Sequence, residues 1–230
     1  MHAIYNLHTL FVMQTHYEYR AQAREALQGR WGEAAIVSLI ILVAAVLIAV
    51  PSIVAEWAGP LTTVLSVLVL PLQYAYYISL LERTRGSEEE LTRFTLQYAI
   101  NQAYANTRFL VAGLLIMLLS IVAAVFTFGI GGIIVKYMYI MVPYLLHDYP
   151  ELTPREAMKL SREMMSGQKW ELFILDLTFI GWILLSILTA GLGTIFVEPY
   201  MSTARAAFYE DLKAEKLIEE TEEKSSTTIE

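Results

Sequence analysis

Four ionisable residues stand inside stretches that are otherwise apolar: Lys136, Asp176, Glu198 and Arg205. At the centre of a bilayer such a side chain costs at least about 2.5–3.5 kcal/mol, so each needs a counter-charge or a wet cavity. Asp176 lies about one and a half turns inside one apolar stretch, and Arg205 about one turn from the far end of the next. The two therefore share a depth, which predicts an Asp176–Arg205 ion pair. That pair either staples two helices together or, if Asp176 exchanges a proton, couples to ion movement. Lys136 has two candidate partners, Glu198 and Glu56, and its long stem can also snorkel out to water. A Lys136–Glu198 pair would bring the fourth and sixth apolar segments into contact.

Other chemistry is sparse. The chain has no cysteine, which excludes disulfides, thiolate metal sites and cysteine nucleophiles. None of His2, His8, His16 and His147 pairs with a carboxylate at metal-ligand spacing on a helix. There is no phosphate-cradling glycine loop and no nucleophile elbow. His147-Asp148 is the nearest approach to an acid–base doublet and reads as an ordinary interfacial pair. No catalytic, cofactor-binding or metal-binding residue is expected. The formal charge of −7 has the wrong sign for binding nucleic acid. Residues 210–230 hold eight acids and three lysines, so the acidity is mostly a tail.

The elements that must position these residues are membrane helices. In 230 residues, 56% are hydrophobic, only 17% are charged, and mean hydropathy is +0.49. Apolar runs of about 18 residues or more are candidate spans. The chain predicts six: residues 34–55, 61–81, 109–127, 133–147, 172–190 and 194–209. Glycine-rich turns pair them into three hairpins, around Gly59, Gly129–Gly132 and Gly191–Gly193. Lys and Arg fall before the first span, between hairpins and in the tail, and none lies in the three turns. The positive-inside rule then puts both termini and both long connections in the cytoplasm. Trp31 and Trp170 stand where the first and fifth spans leave the cytoplasm, as interface anchors. Residues 1–19 form an N-terminal extension, with Met13 an alternative start. Residues 20–212 form one membrane domain, and 213–230 a disordered acidic tail.

Internal similarity is visible. Ala23-Arg24-Glu25-Ala26-Leu27-Gln28-Gly29-Arg30-Trp31 matches Ser161-Arg162-Glu163-Met164-Met165-Ser166-Gly167-Gln168-Lys169-Trp170 with one insertion. Each return helix carries a proline, Pro71, Pro143 and Pro199, expected to kink it. Together these predict a threefold repeat of surface helix, span, turn and kinked span. Ser87-Glu88-Glu89-Glu90 and Thr153-Pro154-Arg155-Glu156 fit capping boxes. The helix after Thr153 sets Ala157, Leu160, Ser161 and Met164 on one face. That face lies either in the inner interface or on the protein's own core.

The stretch from Ala23 to Gly32 resembles the opening of domain-of-unknown-function family 975. Ser161 to Trp170, Leu175-Asp176-Leu177-Thr178-Phe179-Ile180-Gly181-Trp182, Pro199-Tyr200 and Phe208-Tyr209-Glu210-Asp211-Leu212 resemble it more closely. The resemblance covers roughly residues 20–212. It implies a bacterial integral membrane protein of the cell membrane and supplies no activity.

The function expected is therefore non-enzymatic: a scaffold, assembly or regulatory component of the membrane. Its partners would be the lipid bilayer, a protein at the cytoplasmic face, or further copies of itself. The alternative is a transporter or channel for a small solute, ion or lipid. A wet groove reaching Asp176 or Glu198 would favour that alternative.

Overall fold

The computed structural model describes residues 13–55, 59–104 and 106–227, which are all-helical with no strand among them. The helices run α1 (His16–Ala26), α2 (Trp31–Val54), α3 (Gly59–Ser66), α4 (Leu70–Thr84), α5 (Leu91–Tyr98) and α6 (Thr107–Phe126). They continue with α7 (Ile130–Tyr139), α8 (Val142–Asp148), α9 (Pro154–Met164), α10 (Lys169–Leu177), α11 (Ile180–Leu188) and α12 (Thr194–Thr227). Tyr19, in α1, is buried among these helices, with Phe208 edge-on at 5.4 Å and Asp211 accepting from its hydroxyl. Tyr19, which the sequence reading places in an N-terminal extension, thus packs against the helical body, while residues 1–12 lie outside the described ones.

Three helical stretches are long and apolar enough to cross a membrane: Trp31–Ser52, Thr107–Phe126 and Ile130–Asp148. A fourth is added if α10 and α11, bent by 48°, count as one. In the first two, only 17% of the residues are buried inside the protein. Leucine, valine and isoleucine therefore face outward along α2 and α6, which suits a hydrocarbon solvent and not water. The segments expected at residues 61–81 and 194–209 are helical but are not among these candidates. Residues 59–84 are interrupted by the 3-10 turn Val67–Val69, and α12 carries Glu198, Arg205, Glu210 and Asp211 along its first half.

Pro71 and Pro143 sit in the first turns of α4 and α8, each just after a break, where a missing N–H costs least. Pro199 lies inside the unbroken α12, so the kink expected there is not a break. Pro51 is likewise inside α2.

Two turns share one construction. Thr127-Phe128-Gly129-Ile130-Gly131 and Thr189-Ala190-Gly191-Leu192-Gly193 each pair a non-glycine residue at φ 52° with a glycine at φ 96° or 90°. In each, the first threonine hydroxyl donates to the carbonyl four residues earlier and accepts from the N–H of the last glycine. That last glycine is obligatory. A Cβ on Gly193 would meet Ser186 Cα at 2.7 Å, and one on Gly131 the Ala123 carbonyl oxygen at 2.7 Å. The interval between these two turns also separates Lys136 from Glu198 and Asp148 from Glu210. It does not superpose Pro143 on Pro199, so the prolines are not equivalent positions. The first turn, with Glu56, lies outside the described residues.

A second register relates α1 to α9. Thr15 and Thr153 both cap their helices in complete capping boxes with Glu18 and Glu156. These hydrogen bonds hold both glutamate carboxyls below their ordinary value. Both helices end before a glycine in the left-handed region, Gly29 at φ 76° and Gly167 at φ 86°. The box expected at Ser87 is not formed. Its helix starts later, at Leu91, whose N–H is capped by the Glu33 carboxylate from α2. The apolar face of α9 is settled as well: Ala157, Met158, Ser161 and Met164 are buried in the core, and Ser161 Oγ donates to the Met138 carbonyl.

Most of the core gathers at the end away from the two glycine turns. It combines Tyr19, Ile78, Leu81, Phe109, Met141, Leu145, Met165, Leu172, Phe208 and Tyr209 around α12. Toward the glycine turns each helix packs chiefly on its own neighbour, α6 on α7 and α11 on α12. Helix α12 continues to Thr227, so the backbone of residues 213–227 is helical where a disordered tail was expected. The cause is that Ala, Glu, Lys and Leu favour helix and that extending an existing helix avoids the nucleation cost.

Candidate functional site

Helix α12 brings Arg205 into the middle of the protein, where only 6% of it is exposed. Asp176, near the end of α10, meets it at two points: Arg205 Nε donates to Oδ1 at 2.9 Å and Nη2 to Oδ2 at 2.7 Å. Tyr137 from α7 donates its hydroxyl to the same Oδ2 at 2.7 Å. The Asp176–Arg205 pair inferred from the sequence is present. The tyrosine was not foreseen, because a phenol on a separate helix leaves no spacing signal. The bend between α10 and α11 follows directly after Asp176, at Thr178, whose hydroxyl donates to Leu175 O at 2.7 Å.

Beside this pair lies a cavity of about 380 Å³. Its walls come from α4, α6, the α7–α8 segment and α12. Gln73 and Tyr77 face it from α4, Ser120 from α6, Lys136 and Tyr139 from α7, Tyr144 from α8, and Glu198, Ser202 and Arg205 from α12. One polar chain crosses it: Gln73 Nε2 donates to Tyr77 Oη at 2.8 Å, and that hydroxyl donates to Glu198 Oε1 at 3.4 Å. Ser202 Oγ donates to the same oxygen at 2.9 Å. Glu198 is thus anchored by two hydroxyls and keeps acceptor capacity on its other oxygen.

Lys136 faces the same cavity and makes no hydrogen bond or ion pair among the described residues. The Lys136–Glu198 ion pair considered from the sequence does not form, although both groups line one space. Tyr77 and Ser202 both donate to one oxygen of Glu198, and the other is left open toward the shared space. An unpaired ammonium and an anchored carboxylate can hold the two ends of a polar molecule. A volume of this size falls within the roughly 300–1,000 Å³ usual for small-ligand sites.

A second ionic cluster closes the opposite end. Arg85, at the end of α4, reaches Glu82 at 2.8 Å, Asp148 at 2.7 Å and Glu210 at 2.6 Å. Lys213 and Tyr209 also donate to Asp148, at 2.6 and 2.9 Å. His147 bridges Glu82 and Tyr98. Every charge here has an opposite partner, so the cluster ties α4, α8 and α12 together and leaves no free ligand set. Among the described residues no three His, Asp or Glu side chains converge to hold a metal ion. Of the two tryptophans expected as interface anchors, Trp170 is 63% exposed beside Phe173, while Trp31 is half-buried and packs edge-on to Tyr200 at 5.8 Å.

A family profile described as "Protein of unknown function (DUF975)" matches residues 61–216. The chain belongs to this family. The DUF975 match takes in α4 to α12, and with them the Asp176–Arg205 pair and the whole cavity. It starts after the Ala23–Gly32 stretch, which lies outside the matched residues. No curated protein and no solved structure matches the chain.

Proposed function

We propose that this DUF975 protein is a non-enzymatic, multi-pass protein of a bacterial cell membrane that binds a small polar solute within the bilayer and passes it across. Six spans in three hairpins, with both termini cytoplasmic, form the body. The bent α10–α11 pair, the broken α3–α4 segment and the first half of α12 supply the three spans that composition alone leaves short. The single observation carrying this reading is the cavity, where Lys136 and Glu198 face one space without pairing. Lys136 is placed to meet an acid group of the solute and Glu198 an amine. In an apolar environment neither group is retained cheaply without something to bind. The scaffold reading has support of a different kind, since the helical extension of α12 offers a surface to a protein partner at the cytoplasmic face.

The absence of native cysteine makes the test direct. Single variants Lys136→Cys, Glu198→Cys, Phe128→Cys, Glu89→Cys and Leu184→Cys are exposed in sealed cells to a membrane-impermeant thiol reagent. Phe128 is 99% exposed in its turn, and Leu184, 55% exposed on the apolar outside, serves as the lipid-facing reference. Labelling is expected at 128, 136 and 198 and not at 89 or 184. Positions 136 and 198 as inert as 184 would mean a dry interior and would sink the solute reading. Labelling at 89 but not at 128 would invert the topology.

A further inference from the structure

Helix α9 carries Arg155, Lys159 and Arg162, spaced to form one stripe on its surface. All three are exposed. They edge a recess of about 440 Å³ whose remaining walls are Met158 of α9, Leu115 and Leu119 of α6, and Tyr139 of α7. Three like charges on successive turns repel one another. Their compensation is slight: Lys159 approaches Glu163 at 3.8 Å, and neither arginine has an ion pair among the described residues. The apolar wall is equally unfinished. Leu119 is 42% exposed, and α6 is one of the crossing helices, so its flank faces acyl chains.

A basic rim opening onto an outward apolar wall matches a molecule with an anionic head and hydrocarbon tails. We infer that this recess is a binding site for an anionic phospholipid of the leaflet in which α9 lies. The phosphodiester sits among Arg155, Lys159 and Arg162, and an acyl chain runs along Leu115 and Leu119. The Tyr139 hydroxyl is free to donate to the head group. Basic pockets between membrane helices hold anionic head groups by this chemistry. The capping box at Thr153 and the buried face of α9 fix the stripe in place, so the site is preformed. The inference does not depend on the polar cavity, which has different walls apart from Tyr139.

The full chain is reconstituted in vesicles of phosphatidylglycerol and phosphatidylcholine in equal parts, then released and weighed intact by mass spectrometry with its retained lipids. Phosphatidylglycerol is expected in clear excess. Each base near an anionic head group contributes about a fivefold gain in affinity. Arg155→Gln/Lys159→Gln/Arg162→Gln should therefore remove the preference, whereas Arg155→Lys/Arg162→Lys should keep it. If the triple variant does not fold, Lys159→Gln alone should cost about fivefold. Equal retention of the two lipids by the native chain would overturn the proposal, as would an unchanged preference in a folded triple variant. Displacement of the lipid by water-soluble glycerol phosphate would mark a free-phosphate site instead and would also overturn it.

Discussion

Asp176 shows how a residue's environment decides what its substitution costs. It compensates Arg205 at two points in a setting where the arginine is almost wholly buried. Removing one partner of a buried pair leaves an uncompensated charge and costs about 3–5 kcal/mol, while replacing both is far milder. Asp176→Asn should accordingly lower the midpoint of detergent-induced unfolding strongly, and Asp176→Asn/Arg205→Gln should recover most of the loss. Additive defects would show that the two residues act independently. The pair was legible in the sequence because both residues stand out against apolar neighbours and share a depth. Tyr137, Tyr77 and Gln73 were not, since polar groups at the edge of a cavity are ordinary in type and are joined only by tertiary folding. Lys136 and Glu198 line one cavity without forming an ion pair, and the hydroxyls that anchor Glu198 are revealed by no charge count.

At the scale of elements, spacing was a better guide than residue type. The glycine clusters marked both described turns, and Thr153 marked its capping box. Prolines suggested a repeat register that the turns do not support. Thr127 with Gly131 and Thr189 with Gly193 instead share one turn construction, made by hydrogen bonds that a proline count ignores. Thr15 was passed over because it lies before the first basic residue, Arg20, where an extension was expected. The turn geometry makes a sharp prediction. Gly193→Ala would drive a methyl group into the Ser186 backbone, and forced contacts of this kind cost about 1–3 kcal/mol. Gly181→Ala, with nothing within 4 Å, should be neutral or better. Thermal denaturation of the two variants in the same detergent separates them. Equal midpoints would mean that α11 and α12 do not approach as closely as described.

For the molecule as a whole, composition pointed to the helical class and to helices apolar enough for a membrane, and basic-residue placement supplied an expected orientation. It could not give the centre of the fold. Helix α12 is not among the candidate crossing helices, yet its buried stretch organises the core. A hydropathy scan ranks helices by what lipid would accept, and a helix hidden from lipid needs no such acceptance. Its continuity has a mechanical consequence. From Arg205 to Thr227 the helix runs about 33 Å without interruption. A floppy tether would let its end search a wide volume, whereas a continuous rod holds its end at a fixed distance and bearing from the helical body. Nitroxide labels on cysteines at positions 89 and 224 should then give one narrow distance by pulsed electron resonance. A broad distribution would describe a leash. A narrow one would describe a mast, whose foot stands in the same chamber as Glu198, so that a shift in the chamber floor would be displayed at the tip.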